Sequence, residues 1–181
     1  FTIDCPFGTN PVSFRPPEFY ISGKMTRALY CADFDRDRDI DIAAVNLGSD
    51  SMIIFTNNGS GVFGIDSTYS IEKPTTIYGG DFNRDFDMDL VVGDSANEKI
   101  QIFIGRAGGA RFNKGSNYDQ NNAPRAVHSS DFNNDGIFDL AVLAGVRPNS
   151  ELRIYSGTGD GQFNLLNAYS LPLTGRELRN G

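Results

Sequence analysis

The chain has 181 residues, of which 39% are hydrophobic and 22% are charged. This composition is typical of one globular domain and is too apolar for a disordered chain. The formal net charge of −7 argues against nucleic acid as a partner, because phosphate binding needs clustered Lys and Arg. No apolar run approaches the roughly 20 residues that a membrane-spanning helix needs, so no membrane span is predicted.

The acidic residues are concentrated in three short segments that recur along the chain. The segments are DFDRDRDID at 33–41, DFNRDFDMD at 81–89 and DFNNDGIFD at 131–139, spaced by 48 and 50 residues. They contain five, four and three acidic residues, together 12 of the 23 in the chain. A period in this range indicates a repeat architecture. Charges this close repel one another, so a cation, a basic partner or plain solvent must surround them.

Each repeat carries four strand patterns in the same order. One strand runs into the acidic segment, and an apolar strand such as IDIAAVN, MDLVVGD or FDLAVLA runs out of it. Consecutive apolar residues in that second strand predict burial on both faces. A third strand (SMIIFTN, KIQIFIG, ELRIYSG), a glycine-rich turn and a fourth strand (STYSIE, GSNYDQ, NAYSLP) complete the repeat. Four short strands in about 45 residues predict a blade of an all-β β-propeller.

The register of the repeat predicts a single propeller segment over residues 1–181. The predicted units are a partial blade at 1–24, blades at about 25–72, 73–122 and 123–172, and the start of a further blade at 173–181. Three to four blades are too few to close a ring, so a larger propeller is expected. Open ends would also favour self-association.

Each acidic segment offers closely spaced oxygen ligands. A cation of the size of Ca²⁺ binds six to eight oxygens, and positions 1, 3, 5 and 9 of each loop can supply side-chain oxygens, with a backbone carbonyl from position 7. An EF-hand is excluded because its bidentate Glu at position 12 is replaced by Ala44, Val92 and Val142, and the flanking segments are strands. The predicted metal residues are Asp33, Asp35, Asp37, Asp39 and Asp41; Asp81, Asn83, Asp85, Asp87 and Asp89; and Asp131, Asn133, Asp135, Ile137 and Asp139.

The pattern Asp-Phe-Asp/Asn-x-Asp-x-x-x-Asp before an apolar strand, with Phe63-Gly64 in its blade position, resembles the FG-GAP/VCBS repeat of integrin-like β-propellers. The resemblance implies about three Ca²⁺ per chain, an extracellular, secreted or cell-surface setting, and a binding role. Propellers of this family commonly have seven blades. The chain departs from the pattern at position 6, where the family usually has Gly but the first two loops have Arg38 and Phe86.

Three functions are compatible with these features. The first is a non-catalytic adhesion or ligand-binding propeller, stabilised by calcium, that presents its loops to a protein or carbohydrate. The second is an ancillary or catalytic propeller of a secreted polysaccharide- or lipid-degrading enzyme, and the third is a spacer in a large adhesin. No catalytic residue is predicted. The single histidine, His128, aligns with Tyr30 and Tyr78 in the repeat and is therefore expected to be a packing or surface residue.

Smaller features give further predictions. Cys5 and Cys31 are either one disulfide or two small buried residues. The Phe at position 2 of each loop is expected to pack in the core, and the loop arginines are expected to point away from the metal ligands. These residues are Phe34, Phe82 and Phe132, and Arg36, Arg38 and Arg84.

Overall fold

The computed structural model describes residues 18–146 and 148–171. Within these residues the chain forms twelve strands and no helix. The strands are β1 Thr26–Ala32, β2 Asp41–Asn46, β3 Ser51–Asn57, β4 Phe63–Ser70, β5 Pro74–Gly80, β6 Asp89–Asp94, β7 Lys99–Arg106, β8 Arg111–Asp119, β9 Pro124–Ser130, β10 Asp139–Ala144, β11 Ser150–Gly157 and β12 Phe163–Leu171. No helix in this part of the chain is long and apolar enough to cross a membrane.

The strands form three separate four-stranded sheets. Each is an antiparallel meander, in the orders β1-β2-β3-β4, β5-β6-β7-β8 and β9-β10-β11-β12. The second and third strands keep one register throughout, since Ala44 pairs with Ile53 and Val92 pairs with Gln101 at equivalent positions. The all-β architecture of four-stranded propeller blades that the repeat predicts is therefore confirmed.

Neighbouring sheets pack face to face around two apolar cores. The first strand of the middle sheet, β5, contacts both β1 and β9. One core lies between the first two sheets and includes Met52, Ile54 and Phe103, and the other lies between the second and third sheets and includes Ile102 and Leu140. Because β6 lies between both cores, all six of its residues are buried. This explains the consecutive apolar residues of the second strands.

A tyrosine on the outermost strand of the first and second sheets contacts the fourth strand of the following sheet. The Tyr118 hydroxyl of β8 accepts a hydrogen bond from the Phe163 N–H at 2.8 Å, and the two rings pack edge to face at 6.1 Å. Tyr69 of β4 makes the same contact with the Phe112 N–H at 2.7 Å. Tyr20 makes it on the first sheet. The contact combines ring packing with satisfaction of a backbone donor.

The fourth strands begin earlier than predicted. The prediction placed them after the aromatic residue, whereas β4 begins at Phe63, β8 at Arg111 and β12 at Phe163. In the first sheet Phe63 pairs with Asn57, and a bulge at Ile54/Phe55 then shifts the register. The aromatic residue therefore belongs to the strand and not to the glycine-rich turn.

Burial of the loop phenylalanines depends on the neighbouring sheet. Phe34 and Phe82 are buried in the cores, as predicted, but Phe132 is 47% exposed. The prediction is wrong for Phe132 because it lies on the face of the third sheet that no described strand covers.

Some predictions fall on residues outside the described ranges. These are most of the partial blade at 1–24, the start of a blade at 173–181, and Cys5. Cys31 is exposed, so its interpretation as a buried residue is wrong.

Candidate metal centre

The three acidic loops share one backbone conformation. Each joins the first strand of its sheet to the second, and each has left-handed backbone angles at positions 4 and 6. The φ angles are 67° and 79° at Arg36 and Arg38, 65° and 69° at Arg84 and Phe86, and 62° and 81° at Asn134 and Gly136. The departure from glycine at position 6 therefore leaves the fold of the loop unchanged.

The aspartate at position 1 organises each loop. The Asp33 carboxylate accepts hydrogen bonds from the N–H groups of Arg36 at 2.7 Å and Arg38 at 3.0 Å. Asp131 accepts from the N–H groups of Asp135 at 3.1 Å and Gly136 at 2.9 Å. The left-handed residues thus turn backbone donors toward this first carboxylate.

The side chains at positions 3 and 5 continue the same pattern. Asp35 accepts from the Asp37 N–H at 3.2 Å, and Asp37 accepts from the Asp39 N–H at 2.8 Å. One carboxylate oxygen each from Asp33, Asp35 and Asp37 lie within 4.8 Å of one another. Three oxygens this close are a suitable partial ligand set for a divalent cation.

In the second and third loops, Asn replaces Asp at position 3 and contacts position 5 directly. The Asn83 amide donates to Asp85 Oδ2 at 2.8 Å, and the Asn133 amide donates to Asp135 Oδ2 at 2.9 Å. The position-5 carboxylates also accept the N–H of position 7, from Asp87 and Ile137. All three loops therefore bring positions 1, 3 and 5 together through the same backbone frame.

The aspartate at position 9 ties each loop to its sheet. Asp89 is fully buried; its Oδ2 accepts from the Phe82 N–H at 2.8 Å, and its Oδ1 accepts from the Gly105 N–H on β7 at 2.8 Å. Asp41 and Asp139 make the equivalent pairs of bonds. This role was not predicted, because the sequence does not show that the end of the third strand returns to the loop.

Burial disfavours the ionised form of some of these carboxylates. Burial raises the pKa of Asp89 to about 6, against the opposing hydrogen bonds from the Gly105 and Phe82 N–H groups. Burial also raises the pKa of Asp35, and the neighbouring Asp41, Asp37 and Asp33 carboxylates add to the shift. A cation in the loop would favour the ionised forms and reverse this effect.

The first aspartate of the third loop, Asp131, is stabilised in its ionised form by the loop backbone. Backbone hydrogen bonds, with that from the Gly136 N–H first, lower the pKa of Asp131. This carboxylate is stabilised by the loop itself, so its ionised form depends less on a cation.

Arg36 links the first loop to the second. Its Nε lies 2.6 Å from Asp87 Oδ1, and its Nη2 donates to the Asp85 carbonyl at 3.0 Å. The prediction that Arg36 points away from the metal ligands is therefore wrong, because the long side chain reaches the loop of the next sheet. Ile137 stands in the third loop where the second has Asp87, so Arg84 has no equivalent carboxylate there.

His128 packs against the aromatic residues with which it aligns. Its ring lies 4.3 Å from that of Tyr78 at an interplanar angle of 33°, and the Tyr78 ring lies 5.3 Å from that of Tyr30. The three rings form a row across the first strands of the three sheets. His128 is exposed and also packs against Tyr78, in agreement with the expectation of a packing or surface residue.

Comparison with models of protein families shows to which family the chain belongs. A model described as "FG-GAP-like repeat" matches residues 33–92 and 81–142. The chain belongs to this family. The two FG-GAP matches begin at the first and second acidic loops, and the second match extends through the third, so the family repeat coincides with the loop-and-strand unit described above.

Solved structures show the same fold. The chain is similar to the crystal structure of a protein from Lactobacillus plantarum, a structural genomics target, with a TM-score of 0.57 and 17% sequence identity. The match covers 90% of this FG-GAP chain and 47% of that chain, so the chain spans about half the length of its structural relative. The search of curated proteins gave no match.

Proposed function

We propose that this FG-GAP chain is a calcium-binding propeller module whose metal ions are structural. The observation that carries the proposal is the backbone frame repeated in all three loops, which brings the oxygens of positions 1, 3 and 5 together. In the first loop the carboxylates of Asp33, Asp35 and Asp37 approach within 4.8 Å. About three Ca²⁺ per chain would bind in this way.

The donor set fits calcium. Ca²⁺ takes six to eight oxygens in flexible geometry, and each loop supplies carboxylates or amide oxygens from positions 1, 3 and 5 and the backbone carbonyl of position 7. The carboxylate of position 9 would add an oxygen to this set. It also fixes the loop, because both oxygens of Asp89 accept hydrogen bonds from backbone N–H groups. A bound cation would supply positive charge that removes carboxylate repulsion, so binding would stabilise the fold.

We further propose that the sites are not catalytic. A catalytic metal site keeps one coordination position open and has a base beside it. The packing of His128 against Tyr78 supports a structural role for the single histidine. The module would therefore act by binding, as an adhesion or recognition domain for a protein or carbohydrate.

An extracellular setting, secreted or at the cell surface, is part of the proposal. Flexible, solvent-exposed calcium sites commonly have dissociation constants of about 10⁻⁴ to 10⁻³ M in extracellular modules. Loops in which several carboxylates are exposed, as Asp37, Asp85 and Asp135 are, fit that weak class. Such sites are filled only where calcium is abundant, which supports a location outside the cell.

A calorimetric calcium titration, with thermal melts in calcium and in chelator, tests the proposal. The expected result is about three sites and a clearly lower melting temperature in chelator. Asp37→Ala should remove one site of the three, because it deletes both oxygens of position 5. Asp66→Ala is the matched control, because Asp66 lies on β4 and pairs with Arg111 at 3.8 Å. Absence of binding heat together with unchanged melts would refute the calcium proposal.

A further inference from the structure

A polar groove lies between the first and second sheets, at the end of the sheets opposite the acidic loops. Its volume is about 470 Å³, within the range of roughly 300–1,000 Å³ that is common for small-molecule sites. It is bounded by the β2–β3 turn and by the β4–β5 connection on one side and by the β6–β7 turn on the other. The acidic loops join β1 to β2 and their equivalents, so the groove is separate from the proposed metal sites.

Gln101 contributes to the shape of this groove. Gln101 of β7 and Arg153 of β11 occupy equivalent positions, since they pair with Val92 and Val142 in the same register. Arg153 reaches across to the second sheet, where its Nη1 donates to the Asp119 carbonyl at 2.8 Å. The shorter Gln101 donates only within its own sheet, to the carbonyls of residues 102, 115 and 116. At this junction Lys114 of β8 makes the crossing instead, to the carbonyl of Ser70, which stands where Asp119 does. The space beside Gln101 itself is left open.

The lining of the groove combines hydrogen-bond donors and acceptors. It contains the carboxylates of Asp50, Glu72 and Asp94 and the ammonium groups of Lys99 and Lys114. Several of these groups are already held in place. Asp94 is 4% exposed and accepts from the Asn97 N–H at 3.0 Å, and Lys114 Nζ donates to the Ser70 carbonyl at 3.1 Å.

This chemistry selects among classes of ligand. Three carboxylates disfavour a strongly anionic ligand, and Ile71 is the single apolar side chain among the lining residues, so a lipid would find little to contact. Hydroxyl groups both donate and accept hydrogen bonds, and they can therefore match a lining that contains carboxylates, ammonium groups and two carboxamides. Lys99 Nζ has no hydrogen-bond or salt-bridge partner among the residues that the structure describes, so it is free to donate to a ligand.

We propose that this groove binds a neutral saccharide of one or two rings. The exposed Glu72 carboxylate accepts hydrogen bonds from sugar hydroxyls, Lys99 donates to a hydroxyl or ring oxygen, and Gln101 leaves room for the ring. Asp94 holds the Asn97 side chain at the wall of the groove through both of its carboxylate oxygens. The inference rests on the proposed role as a binding module and specifies its ligand as a carbohydrate. It does not depend on the acidic loops, which lie at the other end of the sheets.

The experiment is a titration of the 181-residue chain, in saturating calcium, with galactose, glucose, mannose and N-acetylglucosamine, followed by amide chemical shifts. At least one sugar should give saturable shifts at the amides of Lys99 and Gln101. Gln101→Arg should weaken binding at least tenfold, because the new side chain repeats that of Arg153 and fills the groove. Ile53→Arg is the matched control: it adds the same charge at the equivalent position of β3, on the face opposite Ile54, and should leave binding unchanged.

Each outcome decides the proposal. If no sugar binds while calorimetry registers calcium, the groove proposal is wrong and the calcium proposal stands. Sugar binding without calcium binding would instead support the groove and refute the calcium proposal. Sugar binding that Gln101→Arg leaves unchanged would place the site elsewhere and also overturn the groove proposal.

A second variant covers the case in which Gln101→Arg fails to fold. Lys99→Met then replaces it, since Lys99 makes no side-chain hydrogen bond or ion pair in the described part of the chain whose loss could unfold the protein. The affinity of this variant for the sugar should fall severalfold. Unchanged affinity would overturn the groove proposal, because Lys99 is the free donor that the proposed site offers to the sugar.

Discussion

Phe86 occupies a backbone conformation that normally favours glycine. Its φ is 69°, close to the 81° of Gly136 at the same position of the third loop, and its side chain is 87% exposed. A side chain in this region costs about 1–2 kcal/mol relative to glycine, partly offset by the greater freedom of glycine in the unfolded chain. Because the exposed ring contributes little packing, Phe86→Gly should stabilise the protein by about 0.5–1 kcal/mol in urea unfolding.

Gly136→Ala is the matched control for this prediction. A Cβ at Gly136 would have no atom within 4 Å, so the change tests backbone conformation alone and should destabilise by about 1 kcal/mol. Both variants should be measured in saturating calcium, so that differences in metal affinity do not enter. If Gly136→Ala destabilises but Phe86→Gly does so as well, the Phe86 ring makes a stabilising contact and the strain argument fails.

At the scale of elements, the tyrosines of the outer strands β4 and β8 stabilise the packing of each sheet against the next. The Tyr118 hydroxyl accepts from the Phe163 N–H at 2.8 Å, and Phe163 is buried. Tyr118→Phe keeps the ring contact but leaves this backbone donor unpaired, which costs about 1–2 kcal/mol. Urea unfolding should show that loss, and hydrogen exchange at the Phe163 amide should become faster.

Tyr169→Phe provides the control for the tyrosine contact. Tyr169 stands at the equivalent position of β12, opposite Leu152, as Tyr118 stands opposite Ile100. It is 50% exposed, and its hydroxyl makes no hydrogen bond within the described part of the chain. Stability should therefore change by less than about 0.5 kcal/mol. Equal losses in the two variants would mean that the hydroxyl acts through something other than the sheet junction.

The sequence predicts the elements of this fold well and the junctions between them poorly. The strand order follows from the period of the acidic loops and from the buried second strands. The junctions bring together residues far apart in the chain, such as Arg36 and Asp87, and no periodicity within one repeat indicates which side chain is long enough to cross. One signal was available, because Tyr69 and Tyr118 are 49 residues apart and mark a repeated contact.

The candidate metal site, too, was predictable from the sequence only in part. Positions 1, 3 and 5 were predicted from spacing alone, because alternate residues of one tight loop place their side chains together. The second role of Asp89 could not be predicted, since its partner Gly105 belongs to the third strand. The groove beside Gln101 likewise depends on two sheets and on a comparison with Arg153, which requires the register of both.

At the scale of the whole molecule, the stability of the calcium-free protein should depend on pH, because several of its many carboxylates have shifted pKa values. Asp89 provides a test of the direction of this dependence. The folded-state pKa of Asp89 is raised to about 6 from its ordinary 3.8. Between these values the folded state binds more protons than the unfolded state, so the free energy of unfolding falls as pH rises. Below about pH 4 the contribution of Asp89 is fully present, and it is lost as pH rises through about 6.

Thermal melts in calcium-depleted buffers from about pH 4 to 7 would measure this effect. The raised pKa values of Asp35 and Asp41 change the stability in the same direction as that of Asp89, and the lowered pKa of Asp131 changes it in the opposite direction. The contribution of Asp89 must therefore be isolated by comparing the wild type with Asp89→Asn. The variant will be less stable at every pH, because an amide cannot accept both N–H groups, but its melting temperature should decline less as the pH rises through about 6. In saturating calcium the wild-type decline should also shrink, because the cation favours the ionised loop. Parallel profiles for the two proteins without calcium would show that Asp89 does not set the pH response.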